Sequence, residues 1–594
     1  MLKGTSREFA RIFNIDGEKA TAYLLEGKEA LVQTHFKGIF EIARIGSYVI
    51  IPVGADRLVG LITTLRVEEH EHLVNRQKIE SILPEAWRLL DFTLVGTLKI
   101  QGKDKKGQTS LEFERGINNY PTIESPVWFI TKEELSSIFS FVDSDRFLNI
   151  ASLGSEEVTP VYFDINKMFG KHLAILGCTG AGKSCTVASI IHEILAKKSK
   201  VSDADDYLNK TGFLILDING EYASAFKDNE RVNVLCVKKK EAGESNCLTI
   251  PYWLFSFVEM CQLFTPSAQT QKPVLRNAIR YLRWKQDYTN SCPDIDPTQA
   301  ELKTSYNGIR SLYDVANRSS VPEVNDFSKI FNVHSIDKLV LDFGIKYSNN
   351  YYRDARHAEN MSTLIERIRS IIDEPSYGVI FPSTDCGITL PGIQDILLGI
   401  ERDQSGGITR KYDLTILDLS FLSMELLQTV TSFIGRVVFS FFQHLVPDKR
   451  REYPFILVLE EAHNYLPRII PDAENINMPF EKIAKEGRKY GLGIVIASQR
   501  PGELSETALS QCNTLIVHRL VNPIDRGIVR SAVSVIDEDA LKLLPSLGPR
   551  QAIVMGEAVN IPARITFKEL PIDKRPHSEN PFFIGKPEST PDWL

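Results

Sequence analysis

His172-Leu-Ala-Ile-Leu-Gly177-Cys178-Thr179-Gly180-Ala181-Gly182-Lys183-Ser184-Cys185 decides the fold. The apolar run before Gly177 reads as a strand buried on both faces, and Thr186-Val-Ala-Ser-Ile-Ile-His-Glu-Ile-Leu reads as the helix that follows. The octet between them satisfies G-x-x-x-x-G-K-[ST] in the strand-to-helix setting this motif requires. Its glycines let backbone N–H groups turn around phosphates at a helix N-terminus, where the dipole favours anions. Lys183 is placed to reach the β- and γ-phosphates and Ser184 to coordinate Mg²⁺. A P-loop ATPase using ATP and Mg²⁺ is therefore expected, against the alternative of a glycine-rich turn without a ligand.

Outward from this point, Gly212-Phe-Leu-Ile-Leu-Asp, Leu414-Thr-Ile-Leu-Asp-Leu, Phe455-Ile-Leu-Val-Leu-Glu, Gly493-Ile-Val-Ile-Ala-Ser and Thr514-Leu-Ile-Val also read as strands buried on both faces. Strands alternating with helices predict an α/β fold with a doubly wound parallel sheet. From 252 to 400 the strand signal gives way to amphipathic helical runs such as Pro273-Val-Leu-Arg-Asn-Ala-Ile-Arg-Tyr-Leu, which predicts a helical insertion. Before the core, short β-rich runs punctuated by glycine predict a small N-terminal β-barrel. The expected division is a barrel over 1–150, the first part of the core over 151–251, the insertion over 252–400, the second part of the core over 401–570 and a tail over 571–594.

The chain has 594 residues, well above the roughly 250–300 at which a single core stops growing. Its 43% hydrophobic and 24% charged residues are ordinary for a globular protein. A net charge of −7 supplies no overall field for nucleic acid, so any DNA contact must come from a local patch or from a surface made by assembly. The eight cysteines are scattered with no C-x-x-C pair, which argues for reduced thiols, against a zinc site and for a cytoplasmic location. The N-terminus has no apolar signal region and no 18-residue apolar run occurs, so no membrane span is expected.

A P-loop needs an acidic element at the end of another buried strand. Phe455-Ile-Leu-Val-Leu-Glu460-Glu461-Ala-His463 supplies it, with Glu460 as the metal-side acid and Glu461 as the candidate for activating water. The alternative is a solvated helix start, and His463 is open to a packing role. Gln499 follows the strand from Gly493 and is placed to sense the γ-phosphate. Arg488, in Lys485-Glu-Gly-Arg-Lys-Tyr-Gly, is a candidate arginine finger reaching a neighbouring subunit's nucleotide; helix-dipole compensation is the plainer reading, and Arg500 is the rival finger. Asp217-Ile-Asn219-Gly220-Glu221-Tyr222 brings further acids to a strand end, or is simply an Asn-Gly turn.

Taken in order, these segments resemble the HerA branch of the HerA/FtsK superfamily of hexameric DNA-pumping ATPases. The resemblance runs over nearly the whole chain, and its most specific part is Glu486-Gly-Arg-Lys-Tyr-Gly followed by Ser498-Gln-Arg-Pro. It implies a RecA-like core behind the family's N-terminal barrel, a homohexamer, and double-stranded DNA as substrate. Among site residues it implies Lys183, Glu461, Arg488 and Gln499 as catalytic, Gly177 to Cys185 as nucleotide contacts, and Ser184 and Glu460 on the metal. Lys171 matches a position where the family can place a basic residue near nucleotide. The implied partners are a nuclease in DNA-end processing, or a sirtuin-like or nuclease effector in antiphage defence. The leading expectation is a DNA translocase or helicase; the alternative is an ATPase ring acting chiefly as scaffold and regulator of a bound effector.

Overall fold

The computed structural model describes residues 7–577 apart from 26–31, 36–37, 42–43, 69–86, 104–108, 140–145, 155–158, 201–206, 239–246, 287–322, 328, 348–350, 382–387, 405–406, 469–477 and 534–539. Its N-terminal part is a closed barrel. Strands Lys19–Leu24, Glu8–Asp16, Pro126–Phe129, Tyr48–Val53, Asp56–Glu68 and Trp87–Lys103 follow one another around it, and the last pairs back onto the first. Closure removes the exposed strand edges that such short strands otherwise present. Phe9, Ile12, Val49, Ile51, Phe92 and Leu94 alternate inward to fill it. The long strand Trp87–Lys103 was not foreseen in the sequence, where apolar pairs such as Leu89-Leu90 and Leu94-Val95 break the period-two pattern.

The second part is built on one eleven-stranded sheet. Its order is Pro160–Asp164, Phe147–Leu153, Ala563–Phe567, Gln551–Gly556, Thr514–His518, Leu173–Leu176, Leu492–Ser498, Phe455–Leu459, Gly212–Asp217, Leu414–Asp418 and Val232–Cys236. The seven strands from Thr514–His518 to Val232–Cys236 are parallel, and the other four join antiparallel. The expected all-parallel sheet is thus corrected to a mixed one. Two of the added pairs, Phe147–Leu153 with Pro160–Asp164 and Gln551–Gly556 with Ala563–Phe567, are closed by short connections, as antiparallel pairing permits, whereas helix Pro523–Ser531 lies between Thr514–His518 and Gln551–Gly556. Leu173–Leu176, Phe455–Leu459, Gly212–Asp217 and Leu492–Ser498 are buried along their whole length, as parallel strands covered on both faces must be.

Phe147–Leu153 crosses position 150 yet belongs to this sheet. Between the two parts of the core lie helices Phe257–Phe264, Gln271–Lys285, Ile336–Asp342, Ala355–Asp373 and Leu390–Leu398. The small hairpin Ile345–Tyr347/Tyr351–Arg353 interrupts this helical stretch. The first helix starts with a capping box made by Ser256 and Glu259. Buried Arg283 holds the stretch together by donating to the carbonyls of Trp253, Phe255, Val324 and Asp326. Barrel and core are tied by Tyr48, whose hydroxyl donates to the Pro562 carbonyl at 2.7 Å, and by Arg115, which donates to the carbonyls of Gly556, Val559 and Asn560. No helix among the described residues is long and apolar enough to cross a membrane.

Candidate nucleotide site

Strand register gathers the site. Leu176 lies opposite Ser498 and Val517, and Leu459 lies beside Ile496 and Leu216, so the carboxyl ends of these strands open onto one edge. Ligands bind at that edge in open α/β sheets. Gly177, Glu460 and Gln499 each come one residue after their strand, and Asp217 ends its own.

The loop from Gly177 turns directly into helix Lys183–Lys198. Gly182 caps it at φ +104°, a conformation that side chains rarely adopt. Gly177 is needed for a different reason, since a Cβ there would lie 2.6 Å from the His518 Cβ. The loop is fixed to its neighbours by N–H donation from Gly177 to Ser498 O (3.3 Å) and from Cys178 to Arg519 O (3.0 Å), and within itself from Ala181 to Cys178 O (3.2 Å). The Thr179 hydroxyl donates to the Gln499 side-chain carbonyl, which joins the expected sensor to the loop. Lys183 is buried, and its Nζ lies 3.5 Å from the Cys178 carbonyl. Cys178 and Cys185 are free thiols, and burial raises that of Cys185 above its ordinary pKa.

The acids cluster around the start of this helix. The Ser184 hydroxyl donates to Glu460 Oε1 at 3.5 Å, and the Tyr222 hydroxyl donates to Glu460 Oε2 at 2.6 Å. Tyr465 donates to the Glu460 backbone carbonyl. Burial pushes the Glu460 carboxyl up to about 8, against the Tyr222 hydrogen bond and the charge of Lys183. A cation at this point would draw it back to the charged form. Among the described residues no group of three or more His, Cys, Asp and Glu is arranged to hold a metal. The Ser184 hydroxyl and the Glu460 carboxylate, 3.5 Å apart beside the phosphate loop, would suit Mg²⁺ in its usual manner, with a few protein oxygens, water and phosphates completing the shell. When bound with ATP, that ion would neutralise charge developing on the phosphates.

Glu461 sits at φ +45°, in the left-handed region that is strained for a side-chain-bearing residue. Its Oε2 accepts from the Gln499 backbone N–H at 3.3 Å and lies 3.3 Å from His463 Nδ1. His463 Nδ1 is also 3.2 Å from the Ser498 hydroxyl. Burial holds the His463 ring below the ordinary histidine pKa, although Glu461 opposes the shift. His463 is thus a neighbour of the candidate base and more than packing. Asp217 accepts from the N–H groups of Gly220, Glu221 and Tyr222, which fixes the turn that brings Tyr222 and Glu221 to the site. Burial raises the Asp217 carboxyl to about 6 and raises that of Glu221 as well, the Ser184 hydroxyl opposing the latter.

Tyr222 and Tyr465 are the site residues that the sequence did not single out. The readable signal was an aromatic residue five positions beyond each strand-terminal acid, Asp217 and Glu460. Tyr222 is fully buried, so Tyr222→Phe keeps its packing and removes only the hydroxyl. A hydrogen bond to a charged group contributes about 1.5–3 kcal/mol. Tyr222→Phe is expected to raise the Mg²⁺ concentration needed for half-maximal ATP binding roughly tenfold, measured by titrating Mg²⁺ against a fluorescent ATP analogue; an unchanged midpoint removes this role.

Arg488 and Lys171 lie elsewhere. Arg488 is exposed on the turn Gly487–Tyr490, before strand Leu492–Ser498, and Lys171 precedes strand Leu173–Leu176. Both are at the amino end of strands whose carboxyl ends carry the P-loop and Gln499. At about 3.3 Å per residue the seven-residue strand separates Arg488 from that edge by roughly 20 Å. Lys171 is paired with Glu557 at 2.7 Å. The structure thus brings together Gly177 to Cys185, Glu460, Glu461 and Gln499, and separates Lys171 and Arg488 from them within one chain. The rival Arg500 is on the P-loop edge, exposed and paired with Glu503 at 3.0 Å.

The family described as "Helicase HerA, central domain" matches residues 148–380. The chain is similar to the DNA double-strand break repair helicase HerA of Sulfolobus acidocaldarius, at 25% identity over 93% of this chain and 92% of that protein. It is similar to the protein of the same name from Saccharolobus solfataricus, at 25% identity over 88% and 87%. Among solved structures, the bacterial conjugative coupling protein TrwB aligns over 74% of this chain and 98% of its own at 14% identity, with a TM-score of 0.41. With its phosphate loop and strand-terminal acids on one sheet edge, the chain is a P-loop ATPase that resembles the HerA helicases over most of its length.

Proposed function

We propose that this chain forms a homohexameric ring that uses ATP hydrolysis to translocate double-stranded DNA, in the cytoplasm and together with an effector protein. The observation that carries the reading is the division of the expected catalytic set between opposite sheet edges. Lys183, Ser184, Glu460, Glu461 and Gln499 stand on one edge, and Arg488, roughly 20 Å away, cannot reach the same nucleotide. A second copy presenting its own Arg488 would complete the site, and repeating that contact around a closed ring gives every subunit a complete one. Arginine fingers of this kind contribute about 10³–10⁵ in rate. Lys171, on the same edge as Arg488, would then face the neighbour's nucleotide and not its own.

The relatives named for DNA break repair support DNA as the substrate. The acidic total is no obstacle, because a ring multiplies any basic side chain lining its channel. Lys198 is not such a residue: it is buried, paired with Asp413 at 2.6 Å and bonded to the Thr211 carbonyl. Lys238 lies over the Phe421 ring, and Lys239 and Lys240 are outside the described residues. The effector, a nuclease or a sirtuin-like enzyme, has a surface available on the barrel, where Val67, Tyr120 and Ile123 are exposed. The test is ATPase rate and triplex displacement on linear duplex DNA, with and without the co-purified partner. Stimulation by DNA with strand displacement is expected; ATPase indifferent to DNA in the complete complex would leave the ring as scaffold and regulator.

A further inference from the structure

His172 stands just before the P-loop strand, 3% exposed and at φ +60°. Its ring joins two backbone groups from elsewhere in the chain. The Ile494 N–H donates to Nδ1 at 3.0 Å, and Nε2 lies 3.0 Å from the Ala484 carbonyl. Because Nδ1 accepts, the proton is on Nε2, which donates to Ala484; the two bonds together select one neutral tautomer. Burial holds the ring down at about 4, so it stays neutral through the physiological range.

The positions of these partners carry the inference. Ala484 is in helix Met478–Glu486 and Ile494 in strand Leu492–Ser498. Between them lie the end of that helix, the turn Gly487–Tyr490 that carries Arg488, and the start of the strand. The turn and the strand start after it are tightly packed, since a Cβ on Gly487 would lie 2.8 Å from Leu492 O and one on Gly493 would lie 2.7 Å from Phe169 O. The His172 ring is thus a cross-tie at the base of the turn, and four residues of strand lead from it to Gly177.

We propose that His172 is a positioning residue for Arg488, tying the turn a subunit offers to its neighbour's γ-phosphate to the strand that ends in its own P-loop. This rests on Arg488 acting across a subunit boundary. Nucleotide-driven movement of the P-loop strand then has a direct mechanical route to the finger.

The two bonds can be broken separately. His172→Asn keeps an acceptor for the Ile494 N–H and is too short for Ala484, whereas His172→Gln can extend an amide N–H to Ala484 and loses the Nδ1 acceptor. Each is expected to lower turnover about 100-fold, the loss that accompanies a misplacement of roughly 1 Å in a catalytic group. The variant subunit's own affinity for a fluorescent ADP analogue should not change. Mixed rings, with composition verified by native mass spectrometry, supply the decisive readout. A His172→Gln subunit keeps an intact P-loop, and a Lys183→Ala subunit keeps a correctly held Arg488, so mixing the two inactive proteins should restore activity. The control is the mixture of Arg488→Ala with Lys183→Ala. If the control fails, the trans reading and this proposal fall together. If the control recovers while the His172 mixtures do not, or if the His172 variants turn over normally or lose nucleotide binding, this proposal alone is overturned.

Discussion

Lys183→Ala is expected to bring ATP turnover down by at least about 10³-fold and to weaken nucleotide binding as well. Removing a single electrostatic donor aimed at transition-state charge costs about 10²–10³, and Lys183 meets the phosphates in both ground and transition states. Among the described residues its ammonium has a distant carbonyl partner, Cys178 O at 3.5 Å, and no ion pair that would neutralise it. Its charge also acts on the surrounding acids, working against the upward shifts of Glu460 and Glu221. Alanine therefore removes a phosphate ligand and leaves Glu460, Glu221 and Glu461 facing an incoming polyanion without compensation. Helix Lys183–Lys198 should survive, because alanine is a strong helix former and the cap is made by the Gly182 backbone. Steady-state ATPase, fluorescent-nucleotide titration and thermal melting together check this: turnover within tenfold of the parent, in a protein that melts normally, contradicts the assignment of the loop.

What could be read in the sequence follows from how locally each feature is encoded. The central strands were legible because burial on both faces leaves runs such as Phe455-Ile-Leu-Val-Leu without a polar residue. The residues at their carboxyl ends were legible for the same reason, since the first polar side chain after such a run must stand at the ligand edge. The four antiparallel strands were not read as part of this sheet, because pairing between 147–153 and 563–567 joins segments more than 400 residues apart and leaves no local trace. Tyr222 was hidden in a similar way: its partner Glu460 is 238 residues distant, and a buried tyrosine reads as core until its hydroxyl is seen to have an acceptor. The placement of Lys171 and Arg488 depends on strand direction alone. Both precede their strands, which puts them on the amino edge and away from the P-loop of their own chain.

Glu461→Gln separates binding from chemistry most cleanly. The carboxylate accepts one backbone N–H, that of Gln499, and the glutamine side-chain carbonyl can take the same bond at the same reach. Size, burial and the strained backbone at φ +45° are unaltered, while the capacity to take a proton from water is lost. General-base catalysis contributes about 10²–10⁴, so turnover should fall by that factor while ATP affinity stays close to the parent value. Ser184, Glu460 and Tyr222 form their bonds independently of the Glu461 side chain, and the metal side of the site should be left in place. His463 sharpens the comparison. In the tautomer protonated on Nδ1 it can donate to the same Oε2 that takes the Gln499 N–H, and a glutamine carbonyl in that place, with two lone pairs, can accept both. The loss in Glu461→Gln is therefore expected to be that of the base itself, and His463→Ala in the parent measures what the ring contributes separately. Single-turnover ATP hydrolysis with a parallel binding titration gives both quantities. Normal turnover in Glu461→Gln would transfer the role to Glu221, the other acid beside Ser184, and Glu221→Gln would then carry the full loss.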